Sequence, residues 1–167
     1  LLWGVAFANI VRGIPLMRAP QGNILYAGGF FDLLNPYALV GGLTTLFLFL
    51  THGAVFLTLK TSGTIHDRAK KIATPLGLIA AVLAVVFLVW TQLAYSDKPA
   101  TWILVIAAAL LWVGGIIAHK VGRDGWAFIL SAATLAGAVV YLFWVLFPNV
   151  FPASNNPSLS LTIDNAS

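Results

Sequence analysis

The feature that most constrains the fold of this chain is the apolar run Tyr37–Leu59, which contains no Asp, Glu, Lys or Arg. Asn35 and Pro36 precede it and form a helix-start pattern, because Asn caps free backbone N–H groups and Pro fits the first helical position. A helix needs about 20 apolar residues to cross the hydrocarbon core of a bilayer. The run therefore predicts a transmembrane helix.

Similar apolar runs recur along the chain, each continuous rather than alternating, which favours helices over barrel strands. Only 8% of the residues are charged, against about 25% in soluble domains. We predict an all-α, polytopic transmembrane helix bundle, a single domain over residues 1–167 that is an internal fragment of a longer polypeptide. Its predicted spans, four complete and the first partial, are approximately 1–11, 37–59, 72–95, 101–118 and 126–147.

Basic residues concentrate in two of the connections between the spans. Residues 60–71 hold four Lys or Arg and one Asp, residues 119–125 hold two and one, and residues 148–167 hold no Lys or Arg. Basic connections stay in the cytoplasm. The predicted cytoplasmic connections are 60–71 and 119–125, and the predicted external ones are 12–36, 96–100 and 148–167. We expect 12–36, rich in Gly and Pro, to be a loop on the membrane surface.

Several function classes are excluded by the residue inventory. Without cysteine, these residues cannot form disulfides, zinc–thiolate sites, iron–sulfur centres or thioether links to haem. Without glutamate, paired carboxylates or a glycine-rich phosphate loop, hydrolytic and nucleotide-driven chemistry is excluded as well. The net charge of +4 lies in short connections and not along one helix face, so we expect no nucleic-acid partner. We predict no catalytic, cofactor-binding or metal-binding residue.

His52 is the one histidine or charged residue inside a predicted complete span. One hypothesis makes it a haem axial ligand or a proton relay. The alternative is a neutral imidazole that hydrogen-bonds to a neighbouring helix or a backbone carbonyl. A six-coordinate haem needs a second ligand, and no other complete span holds a histidine. His66 and His119 are predicted to be solvated in cytoplasmic loops.

Small residues predict where the helices approach one another closely. Aromatic residues near the span ends are typical of an interfacial belt. The candidate contact residues are Gly41 with Gly42, Ala80 with Ala84, Gly114 and Gly115 with Ala118, and Ala133 with Gly137. The belt candidates are Trp3, Tyr37, Trp90, Tyr95, Trp102, Trp126 and Trp144.

Several motifs together resemble subunit II of cytochrome bd-type quinol oxidases. The first half of the resemblance rests on GVAFANIVRGIPL (Gly4–Leu16), FFDLLNPYALVGGL (Phe30–Leu43) and THGAVFLTLKTSGTI (Thr51–Ile65). The second half rests on DGWAFILSAATL (Asp124–Leu135), FPNVFPAS (Phe147–Ser154) and SLTIDNAS (Ser160–Ser167). Their order and spacing match over nearly the whole chain.

The resemblance implies an eight-helix protein of two four-helix bundles, of which this chain holds the end of the third helix and the fourth to seventh. It implies a bacterial plasma-membrane heterodimer in which subunit I carries two b-type haems, one d-type haem and the quinol-oxidising loop. The complex would transfer electrons from quinol to oxygen and build a proton gradient without pumping. Small accessory subunits are a further candidate partner.

For this chain the resemblance implies a non-haem subunit that supports assembly and stability of subunit I and contributes to proton or oxygen access. Some members hold a structural quinone in this subunit. Relatives can carry glutamine where this chain has His52, which favours the hydrogen-bonding interpretation over haem ligation. A fragment of a secondary membrane transporter is the alternative, although such proteins have broken helices or buried charges near the midplane.

Overall fold

The computed structural model describes residues 1–165, so the last two residues of the predicted external tail, and of the motif Ser160–Ser167, lie outside it. Helices dominate the described residues, which confirms the all-α class; short hairpins and 3₁₀ turns accompany them. The helices are α1 (Leu2–Arg12), α2 (Pro36–Lys60), α3 (Thr64–Tyr95), α4 (Thr101–Lys120) and α5 (Asp124–Leu146). The strands are β1 (Leu16–Arg18), β2 (Ile24–Tyr26), β3 (Asn149–Phe151) and β4 (Leu161–Thr162).

Within the described residues, α2, α3, α4 and α5 are long and apolar enough to cross a membrane. The four complete spans are therefore confirmed as helices, and α1 corresponds to the partial one. The predicted start of α2 is also confirmed. Asn35 Oδ1 accepts a hydrogen bond from the Ala38 backbone N–H at 3.0 Å, and Pro36 is the first helical residue.

Helix α3 begins earlier than predicted, at Thr64 instead of residue 72. Most of the predicted basic loop 60–71 is therefore helical, and only residues 61–63 connect α2 to α3. Gly63 makes this short turn with φ of 65°, a conformation that costs glycine little. At 32 residues α3 is about 48 Å long, which exceeds the roughly 30 Å hydrocarbon thickness. Its basic first turns can therefore extend beyond the apolar layer.

Helix α2 occupies the centre of the bundle and packs against α1, α3 and α5, while α4 packs against α5 and α3. The contact with α1 is close because both surfaces carry small residues. A Cβ added at Gly41 would lie 2.8 Å from Ala8 Cβ and 2.9 Å from Phe87 Cε2. One added at Gly4 would lie 2.6 Å from the Gly41 carbonyl oxygen. The predicted close approach at Gly41 is confirmed.

The other predicted helix contacts have different outcomes: some are confirmed and one is wrong. Ala80 is fully buried beside Leu48 and Trp112, and Ala118 packs with Ala127 in another apolar cluster. A Cβ added at Gly137 would instead meet no described atom within 4 Å. The expectation that Gly137 allows close helix contact is therefore wrong for the described residues.

The two ends of the bundle are here called the Asn35 end and the Lys60 end. The ends of α1, α3 and α5 and the starts of α2 and α4 lie at the Asn35 end. Two antiparallel hairpins cover that end: β1 pairs with β2, and β3 pairs with β4. Asn155 joins them, because its side chain accepts from the Leu16 N–H at 2.9 Å and donates to the Leu16 carbonyl at 2.8 Å. Segment 12–36, predicted as a surface loop, is instead partly a hairpin.

Candidate functional site

His52 lies on α2 and faces α5. Its Nδ1 is 2.8 Å from Ser131 Oγ, and its ring stacks on Phe128 with the centroids 4.6 Å apart. The Ser131 hydroxyl donates to the Phe128 carbonyl at 2.9 Å. Because that hydrogen is committed, the hydroxyl oxygen accepts from His52 Nδ1–H, which assigns the tautomer from the network. The imidazole therefore connects two helices, as the hydrogen-bonding interpretation expects.

The described contacts of His52 are with Ser131 and Phe128 of the neighbouring helix α5. Groups of three or more His, Cys, Asp or Glu that could hold a metal are absent from residues 1–165. Met17, the single methionine, lies in β1 at the Asn35 end. Phe128 covers one face of the His52 ring. Pockets that hold cofactors typically enclose about 300–1,000 Å³. The small cavity next to Ser131, which His52 does not line, measures about 20 Å³.

This small cavity lies between α2, α3, α4 and α5, with Ser131 on one side and His119 on another. The polar groups that border it are engaged elsewhere. Thr51 Oγ1 donates to the Phe47 carbonyl at 2.7 Å, and Trp112 Nε1 donates to the Gly77 carbonyl at 3.0 Å. Their donor hydrogens are therefore committed to backbone carbonyls of the helices.

The prediction that His119 is solvated in a loop is wrong. It occupies the last turn of α4 and is only 3% exposed. Its Nδ1 lies 2.9 Å from Asp124 Oδ1, and its Nε2 lies 3.3 Å from the Lys70 carbonyl oxygen. Because both partners are acceptors, the ring ties α4 to the first turn of α5 and to α3. The sequence signal was the spacing of His119 and Asp124 across a three-residue turn.

His66 is likewise helical, which corrects its predicted place in a loop. It lies in the first turns of α3 and is half-buried. Its Nδ1 is 3.0 Å from the Thr58 carbonyl oxygen on α2. This contact closes the α2–α3 turn from inside, so His66 serves helix packing.

A network of neutral polar side chains, not predicted from the sequence, lies at the Asn35 end. Gln92 of α3 is buried, and its Oε1 accepts from Thr101 Oγ1 of α4 at 2.8 Å and from the Tyr141 hydroxyl of α5 at 3.2 Å. Gln92 Nε2 donates to the Lys98 carbonyl at 3.2 Å. One amide thus joins three helices. Its signal was a lone glutamine in an otherwise apolar run.

A second buried polar contact lies beside this network. The hydroxyls of Tyr37 and Thr91 are 2.8 Å apart, and both side chains are buried. Tyr37 also stacks on Phe87 and touches the rings of Trp90 and Tyr95. Tyr37 was predicted to belong to an interfacial belt, but its 2% exposure makes it a core residue. Trp90, Trp102, Trp126 and Trp144 are exposed near helix ends, as a belt requires. Trp3 is also exposed, but its neighbour Gly4 packs against Gly41 and Thr45, well inside α2, which does not fit a belt position.

Together these observations define a class: a multi-pass helical membrane protein whose buried polar side chains join helices to one another. The family model for cytochrome bd terminal oxidase subunit II matches residues 1–167. The chain therefore belongs to that family, which excludes the alternative of a secondary membrane transporter fragment.

Curated relatives agree with the family. The chain is 34% identical to the probable cytochrome oxidase subunit 2 of Haemophilus influenzae over 96% of this chain and 51% of that protein. It is 33% identical to the cytochrome bd ubiquinol oxidase subunit 2 of Bacillus subtilis over 98% of this chain and 48% of that protein. The cytochrome bd-I ubiquinol oxidase subunit 2 of Escherichia coli K12 is 26% identical over 99% and 52%. The chain thus spans about half the length of these relatives.

Proposed function

We propose that the chain is part of the non-haem membrane subunit of a bd-type quinol:oxygen oxidoreductase in an aerobic respiratory chain. Quinol and oxygen would react on a haem-bearing subunit I, the partner that carries two b-type haems and the d-type haem. This half of subunit II would hold the bundle that subunit I assembles with. It would bind no haem itself, and a structural quinone, small accessory subunits and a share in proton or oxygen access would belong to the whole complex.

The observation that carries this proposal is the family match over the full chain, combined with the state of His52. Its Nδ1 is engaged by Ser131 and one ring face by Phe128, so its described contacts are those of a packing residue. The polar groups of α3, α4 and α5 are likewise engaged with one another. Side chains held in this way support assembly and offer no site for electron transfer.

The test uses the full-length subunit in its native complex. His52→Gln keeps a hydrogen-bonding group, whereas His52→Leu removes it. We expect the reduced-minus-oxidised spectrum per complex to be unchanged in His52→Gln, and His52→Leu to lower the yield of complex with all haem bands falling together. His66→Gln is the matched histidine control. Selective loss of one haem band in both His52 variants would overturn the proposal.

We also propose that the complex lies in the bacterial inner membrane with the Lys60 end in the cytoplasm. Six of the nine Lys and Arg residues lie at that end, against two of the five Asp. Since the chain has no cysteine, single cysteines at Ser62 and Ser158, both exposed, can report sidedness in a cysteine-free full-length background. Ser158→Cys should react with an impermeant thiol reagent in spheroplasts, and Ser62→Cys only after lysis. The reverse pattern would invert the orientation.

A further inference from the structure

An open cavity of about 400 Å³ lies at the Asn35 end, where the C-terminus of α1 meets the β1–β2 hairpin, the 3₁₀ turn Phe30–Leu33 and the tail. Its walls carry Arg12, Asp32 and Ser154, together with apolar residues. It is separate from the surroundings of His52. None of the contacts described so far gives it a function.

The base of this cavity is a polar frame whose hydrogen bonds are already used. Asn9 Nδ2 donates to the Val5 and Leu33 carbonyls at 2.9 and 2.8 Å. Asn9 Oδ1 accepts from Asn35 Nδ2 at 2.9 Å, and the Tyr26 hydroxyl donates to the Gly29 carbonyl at 2.8 Å. These groups shape the cavity and fix the hairpin over it. They leave little capacity to bind a ligand.

The charged and hydroxyl groups that line the cavity, by contrast, have hydrogen-bond donors and acceptors that the other described residues do not use. Arg12 and Asp32 both line the cavity but do not form an ion pair within 4.0 Å, and His119–Asp124 is the salt bridge found among residues 1–165. Asp32 Oδ2 accepts one hydrogen bond from the Gly29 N–H at 2.7 Å. No side-chain hydrogen bond of Arg12 or of the Ser154 hydroxyl occurs in the described part of the chain. The cavity therefore offers donors at Arg12 and Ser154 and an anionic acceptor at Asp32.

An apolar surface adjoins these charges. Phe31 lines the cavity and is 82% exposed, and its neighbour Phe30 is 70% exposed. Both follow a hairpin whose Met17 and Leu25 are also exposed. Arg12 is the last residue of an apolar helix, which places the cavity at the level where a bilayer changes from hydrocarbon to headgroups. A ligand here can be charged at one end and apolar at the other.

We propose that this cavity binds one phospholipid whose headgroup carries both a phosphate and a primary ammonium group, as phosphatidylethanolamine does. The phosphate accepts from the Arg12 guanidinium and the Ser154 hydroxyl, in charge-assisted contacts that arginine forms readily. The ammonium donates to the Asp32 carboxylate. The acyl chains lie along Phe31. A quinone headgroup fits less well, since its carbonyls accept hydrogen bonds but give Asp32 no donor.

The experiment uses the full-length native complex, purified in mild detergent and delipidated. Phosphatidylethanolamine, phosphatidylcholine, phosphatidylglycerol and inorganic phosphate are titrated separately while thermal stability is followed, and retained lipid is quantified by mass spectrometry. We expect half-maximal stabilisation at a roughly three- to tenfold lower mole fraction of phosphatidylethanolamine than of the other two lipids. Inorganic phosphate alone should not stabilise.

The variants separate the two charges. Arg12→Gln should weaken the response to all three lipids, and Arg12→Lys should retain most of it. Asp32→Asn keeps an acceptor for the Gly29 N–H and should abolish only the preference for phosphatidylethanolamine. Arg18→Gln, on the neighbouring β1–β2 hairpin but not among the residues that line the cavity, is the matched control.

Several results would overturn the proposal. These are equal responses to the three lipids in the wild type, an unchanged response in Arg12→Gln, the same stabilisation by inorganic phosphate alone, or retention of quinone without phospholipid. A loss of preference in Arg18→Gln equal to that in Asp32→Asn would do so too.

Discussion

The two ends of the bundle are built differently. At the Asn35 end, neutral side chains from three helices meet at Gln92, two hairpins cover the helices, and charges of both signs are balanced. At the Lys60 end, three-residue turns join the helices, most of the basic residues gather, and the polar contacts include the pair His119–Asp124. One end is fixed by many neutral contacts and the other by few, partly charged ones. The difference predicts unequal responses to mutation.

The largest effect is expected where α1 packs on α2 in the Asn35 half of the bundle. Gly41→Leu places side-chain atoms where Ala8 and Phe87 already lie within 3 Å of an added Cβ. Overpacking of this kind costs about 3 kcal/mol, so we expect a clear fall in the thermal stability and yield of the complex. Gly53→Leu, in the Lys60 half of the same helix, is the control, since nothing lies within 4 Å. Equal losses of stability in both variants would show that α2 is not packed more tightly around Gly41 than around Gly53.

The next largest loss of stability is expected at the Lys60 end. His119→Leu leaves Asp124 and the Lys70 carbonyl without their partner, and an unsatisfied buried polar group costs about 1–3 kcal/mol. We expect this loss of stability to lower the temperature at which the complex unfolds. Asp124→Asn, which keeps an acceptor for Nδ1, should cost less than His119→Leu. If His119→Leu were neutral, the view that the contacts of His119 stabilise this end would be wrong.

A smaller effect is expected within the Gln92 network, because its members have alternative partners. The single hydroxyl hydrogen of Thr101 can be donated to the Lys98 carbonyl instead of to Gln92, and that of Tyr141 to the Leu88 carbonyl. Such hydrogen bonds average about 0.6 kcal/mol in membranes. A double-mutant cycle of Gln92→Leu with Thr101→Val should give a coupling energy of that size. Gln92→Leu combined with the distant Thr58→Val should be additive, and coupling there would contradict a local network.

The last effect, similar in size to that coupling energy, compares the loss of stability on replacing two lysines at helix ends. Lys98 Nζ donates to the carbonyls of Trp144, at 2.8 Å, and Phe147, at the end of α5. A cation there stabilises the helix by about 0.3–1 kcal/mol. Lys98→Met should lower thermal stability by that amount at low salt and by less at high salt. Lys60→Met, at the end of α2, provides the comparison, and a larger loss there would reverse the expected order.

The helix boundaries and the contacts of His52 show how much of the structure could be predicted from the sequence. Apart from the start of α3, the uncharged runs predicted the long helices to within a few residues, because a continuous apolar segment of that length satisfies its backbone inside a membrane as a helix. The start of α3 was misjudged, since basic residues mark a topological boundary but do not end a helix. His52 was expected to contact a neighbouring helix, but the sequence could not name Ser131 or Phe128 as its partners.

By itself, the sequence determined the class, the spans, the Asn35 cap and, through its motifs, the family. These depend on local composition and on short patterns that each segment carries alone. Only the tertiary structure decided that His119 is buried, that Gln92 joins three helices and that Arg12 and Asp32 share one cavity without pairing. Such facts depend on which faces of distant segments meet, and hydrophobic periods in spans that are apolar all round do not specify those faces.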